Sequence, residues 1–173
     1  MTTRILSFDI SASPGVAVIE IANRQPKLIT VDHVETDSTA TDSERYEYVR
    51  SLATKVVYEN RPFDAIVREK FIRGGSKRST QLVFGAWSAI DMSLGSFGYA
   101  VDDKDEIVAS AVKKIIGGKG GASKEEVAEG VIARLGEDSR KHFYTERGRL
   151  LDDRADAAAI GLTYAIRKGL IDE

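Results

Sequence analysis

"ILSFDISASPGVAVIE", residues 5–20, is the stretch on which the fold turns. Two apolar runs, 4–10 and 15–21, flank the turn "SASPG" and read as an antiparallel hairpin. One acid, Asp9, stands at the end of the first run. Burying a lone carboxylate is costly unless it is paired or bound to a cation, so Asp9 calls for partners elsewhere in the chain. Taken alone it could also be a turn-capping acid.

Working outward, "KLITVDHVE" (27–35) alternates and suggests a third strand. "TDSTATDSE" (36–44) offers N-cap residues ahead of "RYEYVRSLATKVVYEN", in which Tyr48, Leu52, Val56 and Tyr58 are spaced for an amphipathic helix. "DAIVREKFI" (64–72) is a short strand-like run ending in Glu69. A long helix follows in "SKRSTQLVFGAWSAIDMSLGSFG"; its small residues Gly85, Ala86, Ser88 and Ala89, with Trp87, make it a candidate dimer surface or a close-packed internal helix. "EIVASAV" (106–112) reads as a strand leading into a short helix. Ser123 caps the helix "SKEEVAEGVIARLG", and "DDRADAAAIGLTYAIRKG" is the last helix, acidic at its start and basic at its end. The order β-β-β-α-β-α-β-α-α describes a single α/β domain over 1–173, with a three-stranded meander feeding parallel strands.

The 173 residues carry 25 Lys and Arg against 27 Asp and Glu, a net charge of −2. That balance alone argues mildly against a nucleic-acid partner. The charge is unevenly placed, however. "REKFIRGGSKR" (68–78) holds five basic residues and one acid, and "KKIIGGKGGASK" (113–124) holds four lysines and no acid. Such local segments can bind phosphate on an acidic molecule. The chain has no cysteine, which excludes disulfides and thiolate metal sites and fits a reducing cytoplasm. No apolar run approaches the ~20 residues of a membrane span, and the opening "MTTRILSFD" lacks the regions of a signal peptide.

Asp9 and Glu69 both end apolar strands, and Asp152, Asp153 and Asp156 open the last helix. Asp153 and Asp156, three apart, share a helical face. Each acid alone has an ordinary reading as a cap, a surface residue or a complement to the helix dipole. Together they repel one another and require a cation. With no cysteine and only His33 and His142, an oxygen-rich site favours Mg²⁺, with Mn²⁺ as substitute, over zinc. Two such ions can activate a water and stabilise the leaving oxygen of a phosphodiester. An ATP-binding domain of the actin–sugar kinase type also opens with a strand, an Asp and a Gly turn. It needs a second such domain and a second phosphate loop, for which this chain is too short, and no Walker-type P-loop is present.

Four segments in order resemble the RuvC-type Holliday junction resolvases of the RNase H-like superfamily: "ILSFDISASPGVAVIE", "AIVREKF", "VKKIIGGKGGASKEEV" and "DDRADAAAIGLTYA". The resemblance covers most of the chain. It implies an RNase H-like fold with a central mixed five-stranded sheet flanked by helices. It also implies a metal-dependent endodeoxyribonuclease that acts as a homodimer on a four-way junction and leaves ligatable nicks with 5′-phosphate. A broader branched-DNA endonuclease, cutting forks or flaps, would use the same acids. Carried over residue by residue, the catalytic and metal-holding acids are Asp9, Glu69, Asp153 and Asp156, with Asp152 as an extra ligand, and Lys113 and Lys124 as the functional lysines. Gly117, Gly118, Gly120 and Gly121 would let backbone approach DNA. Arg73, Lys77, Arg78, Lys114 and Lys119 are further DNA contacts. Phe71 matches the family's junction wedge but lies two residues after the Glu instead of three, so a place in the core is the alternative. Ser11, Ala12 and Ser13 replace a Pro-Gly-Ser pattern, which looks closer to phage-encoded relatives.

Overall fold

The computed structural model describes residues 2–71 and 75–173. Three antiparallel strands come first: β1 (Thr2–Asp9), β2 (Gly15–Ala22) and β3 (Gln25–His33). The helix α1 (Asp42–Asn60) crosses to β4 (Ala65–Glu69), and α2 (Lys77–Ser96) crosses to β5 (Glu106–Ile107). Then come α3 (Ala109–Ile115), α4 (Lys124–Leu135), a 3-10 turn (Glu137–His142) and α5 (Asp152–Arg167). The sheet order is β3-β2-β1-β4-β5, with β4 parallel to both β1 and β5. This is the mixed five-stranded α/β sheet that the sequence implies.

Strand parity decides what each face holds, because successive side chains point to opposite sides. Leu6, Phe8, Val16, Val18 and Ile66 pack against α1 and α2. Ile5, Ala17, Ile19 and Val67 pack against α3, α4 and α5. Continuing each strand by two puts Asp9 and Glu69 on the α5 side. The last paired residues of β1 and β4 are Phe8 and Arg68, and the two acids follow directly.

Helix α5 reaches the sheet because its contact residues are small. Ala155, Ala157, Ala158, Ala159, Gly161 and Ala165 are all buried. A Cβ on Gly161 would lie 2.8 Å from Ser7 Oγ, and one on Gly15 would lie 1.9 Å from the Asp153 carbonyl oxygen. Ser7 Oγ donates to the Ala157 carbonyl at 2.8 Å, fixing the helix on β1. Glycine at 15 and 161 is thus a demand of close packing.

Several expectations need correction. In α1 the buried positions are Val49, Ala53, Val56 and Val57, the i, i+4, i+7, i+8 set of one helical face. Tyr48 and Tyr58 are exposed, since both lie off that stripe. The strand read over 106–112 is only two residues long, and the rest of it is α3. In α2, of the small residues, Gly85 lies against the Tyr46 ring and Ala86 and Ala89 are buried, while Ser88 is exposed. Gly117 is also a packing glycine, its Cβ position 2.4 Å from Ala122 Cβ, and Gly118 makes a turn at φ 79°. Gly118, Gly120 and Gly121 of that loop face open space.

Candidate active site

Where β1 and β4 end and α5 begins, a cavity of about 320 Å³ opens to solvent. Its walls carry Asp9, Glu69, Asp153, Asp156, Lys113 and Lys124, six residues from five elements. Ser11, Ala109, Val112, Val127 and Ile160 complete the lining. Sequence reasoning saw Ser11 only as a turn residue.

The acids feel one another. Asp9 is 7% exposed. Burial pushes its carboxyl well above the ordinary range. The charges of Asp156 and Glu69, a hydrogen bond to Glu69 and the charge of Asp153 push it further. Burial also raises Glu69, Asp153 and Asp156. For Glu69 the hydrogen bond from Asp9 works the other way, and for Asp156 the Lys124 ammonium does. Burial and crowding thus favour the protonated form of Asp9, the more strongly raised of the two. Protonation is how two crowded carboxylates avoid a second buried charge.

Lys124 is the cation within this crowd. Its Nζ pairs with Asp152 and lies 3.3 Å from Asp156 Oδ2. Burial opposes its charge, but the hydrogen bond to Asp152 and the charge of Asp156 outweigh burial and raise it above the usual lysine range. The same bond holds Asp152 below the ordinary carboxylate range. Asp152 thus does not line the cavity; it reaches the site through Lys124.

The donor set fits a hard divalent ion: carboxylate oxygens, no thiolate, and an excess of negative charge that Lys124 only partly offsets. Among the described residues, no three His, Asp or Glu side chains are posed as a finished coordination shell. The Lys124 ammonium bridges Asp152 and Asp156 instead.

A supporting network was not legible in the sequence. Arg154, next to Asp153 on α5, donates from Nε to His33 Nδ1 at 2.9 Å and approaches Asp32 at 3.4 Å. His33 Nε2 lies 3.4 Å from Glu35. These contacts tie the first turn of α5 to the end of β3. The only trace in the sequence is an arginine placed between the two acids.

The other sequence candidates fall outside the cavity. Phe71 lines a neighbouring cavity of about 450 Å³ that shares Glu69, Ser11 and Ala109 with the first. Its ring packs edge-to-face on Phe84 at 5.2 Å and Trp87 at 6.2 Å. Strand parity does not reach Phe71, because β4 stops at Glu69. Arg78 is held by Asp42 and Lys119 by Glu126, while Lys77 and Lys114 are exposed. Arg73 lies outside the described residues.

The geometry can be set beside known proteins. A crossover junction endodeoxyribonuclease RuvC from Synechococcus sp. (strain WH7803) is 30% identical over 161 residues, covering 92% of this chain and 96% of the relative. The chain belongs to the RuvC family. It is accordingly an endodeoxyribonuclease of the crossover-junction class. The RuvC of Prochlorococcus marinus subsp. pastoris is 31% identical over 90% of both chains. Among solved structures, Thermus thermophilus RuvC in complex with a Holliday junction substrate overlays with a TM-score of 0.77 at 24% identity, covering 97% of each chain. The yeast mitochondrial resolvase Ydc2 overlays at 0.62 and 12% identity, covering 97% of this chain and 80% of that one. Both likenesses establish the RNase H-like fold. No family model matches. The named bacterial relatives favour junction resolution over the broader branched-DNA reading, and nothing in them speaks for the phage-like pattern.

Proposed function

We propose that this chain binds four-way DNA junctions as a homodimer and hydrolyses two opposed phosphodiesters with Mg²⁺, Mn²⁺ serving as substitute. The carrying observation is the convergence of Asp9, Glu69, Asp153 and Asp156 with Lys113 and Lys124 on one open cavity. The four acids would hold the metal. When bound, such an ion makes water a nucleophile near neutral pH and stabilises the leaving oxygen. The chain's own groups do the rest. Lys113, exposed at the rim, offers a point charge to an incoming phosphate. Lys124 holds Asp152 and Asp156 in place and is the second cation facing the backbone. Lys77, Arg78, Lys114 and Lys119, with Arg73, would extend contact along the strands, and Phe71 would meet an unpaired base at the branch.

Support for a dimer is the outer side of α2, where Phe84 is 46% and Met92 is 61% exposed. Large exposed apolar residues on one helix suit a second copy of the same surface. The unit 1–173 acts in this reading as one nuclease domain in the cytoplasm. Among the described residues, no helix is long and apolar enough to cross a membrane.

The test is a substrate panel. Labelled four-way junction, fork, flap and linear duplex are incubated with protein and Mg²⁺, and the products are mapped. Symmetric nicks confined to the junction are expected. Equal cutting of fork or flap would favour the broader endonuclease.

A further inference from the structure

The hairpin that leads into α5 presents cations that the cavity does not use. Residues 143–151 double back on themselves: the Leu151 N–H donates to the Phe143 carbonyl at 2.8 Å, and the Thr145 N–H donates to the Arg149 carbonyl at 2.9 Å. Thr145 Oγ1 accepts the Arg149 N–H at 3.0 Å. Tyr144 and Leu150 face each other as a β-bridge. Gly148 makes the turn at φ 76°, where a side chain would be strained. Phe143, fully buried, anchors the base in the core. The projection is held in one shape.

Its tip is basic and unspent. Arg147 and Arg149 are exposed there, and Lys141 is exposed at the base. Among the described residues, Arg147 and Lys141 form no ion pair, and Arg149 has only a 3.8 Å approach to Glu35. Neighbouring arginines are occupied: Arg140 by Glu129 and Glu137, and Arg154 by Asp32 and His33. Glu146 is the single acid between 141 and 149. Position matters as well. Arg149 meets Glu35, Glu35 meets His33, and His33 meets Arg154, the residue after Asp153. The basic tip is therefore three side-chain contacts from Arg154, the chain neighbour of Asp153.

We infer that this hairpin is a second backbone contact, in which Lys141, Arg147 and Arg149 engage the phosphates of a duplex arm beside the cut. Free guanidinium groups on a fixed loop match phosphate oxygens by their fork geometry. Little ordering entropy is lost on binding, because the loop is already shaped. Affinity gained this way comes from counterion release and carries no sequence preference. The inference rests on the proposed reading of branched DNA as substrate.

The test is the double variant R147Q/R149Q, with R147Q alone as a second variant, since Arg147 makes no side-chain contact that the fold needs. Binding of a labelled four-way junction is followed by anisotropy from 50 to 200 mM NaCl without divalent metal, and thermal melts verify folding. Losing two phosphate contacts should flatten the slope of log K against log salt by about 1.8, and R147Q alone by about 0.9. Single-turnover cleavage at saturating protein should stay within about twofold of wild type, because no cavity residue has changed. A folded double variant whose slope changes by less than about 0.5 would overturn the inference and return the tip to service as a protein-facing or plain solvated surface. If the unmodified protein binds no junction at all, the proposed function fails, and this inference with it.

Discussion

Gly15 offers a graded test of how α5 delivers its acids. It pairs with Asp9 across β1 and β2. A Cβ at this position would lie 1.9 Å from the Asp153 carbonyl oxygen and 2.6 Å from the carbonyl carbon. Even a close carbon–oxygen contact needs about 3.3 Å, a shortfall of about 1.4 Å. The obstacle is backbone, so no side-chain rotation relieves it. In G15A the first turn of α5 must retreat by roughly that amount, taking Asp153 and Asp156 away from Asp9 and Glu69. A misplacement of about 1 Å can cost ~100-fold in rate, so cleavage should fall by about 100-fold or more. Overpacking itself costs about 1–3 kcal/mol, a fall in Tm of roughly 2–12 °C for a chain of this size. The assay is single-turnover cleavage of a labelled four-way junction with Mg²⁺, beside a thermal melt. G95A is the control, because nothing lies within 4 Å of its Cβ position. A folded G15A that cuts within threefold of wild type would refute the reasoning.

Three other outcomes follow from the same contacts. Asp9, Glu69, Asp153 and Asp156 all have raised pKa values in the folded chain. The native state thus binds more protons than the unfolded one between the ordinary carboxylate range near 4 and those raised values, and its metal-free stability falls as pH rises through that window. D9N removes the largest contributor, so its Tm advantage over wild type should grow as pH rises; an advantage that stays flat or shrinks counts against the buried-charge account. K124Q withdraws the cation between Asp152 and Asp156 and should lower metal-free stability by about 1 kcal/mol or less, since the lysine is half-exposed. Added Mg²⁺ should recover the loss, which calorimetric melts with and without the ion would register. Finally, Arg68 is buried between Glu106 at 3.0 Å and Asp91 at 2.9 Å, over the Trp87 ring. R68M leaves buried Glu106 unpaired and should cost about 3–5 kcal/mol, and a denaturant midpoint close to wild type would contradict it.

The parts of this architecture that follow from local pattern were readable in the sequence. The hairpin, the strand ending in Glu69, and the D-x-x-D start of an Ala-rich helix each carry a period or a cap. Parity puts Asp9 on the face of Ile5 and Glu69 on the face of Val67; that α5 covers this face is seen only in the structure. What stayed hidden depends on contacts between residues far apart in sequence. The fit of Gly15 under Asp153, the bridge from Lys124 to Asp152 and Asp156, and the link from Arg154 to His33 leave no periodic mark. Tyr48 and Tyr58 misled because aromatic residues near helical spacing look like a buried stripe, whereas Val49, Ala53, Val56 and Val57 form it. Residues 136–151 carry neither strand nor helix period, and their hairpin is fixed by backbone hydrogen bonds.

The central claim is that four carboxylates on one cavity perform metal-dependent junction cleavage. The most direct measurement takes D9N, E69Q, D153N and D156N singly, and compares junction affinity with Mg²⁺-dependent single-turnover cleavage for each. The account predicts that all four bind the junction at least as tightly as wild type and that none cuts at a rate above about 1% of it. Wild-type cleavage by any two of these variants, in folded protein, would contradict it.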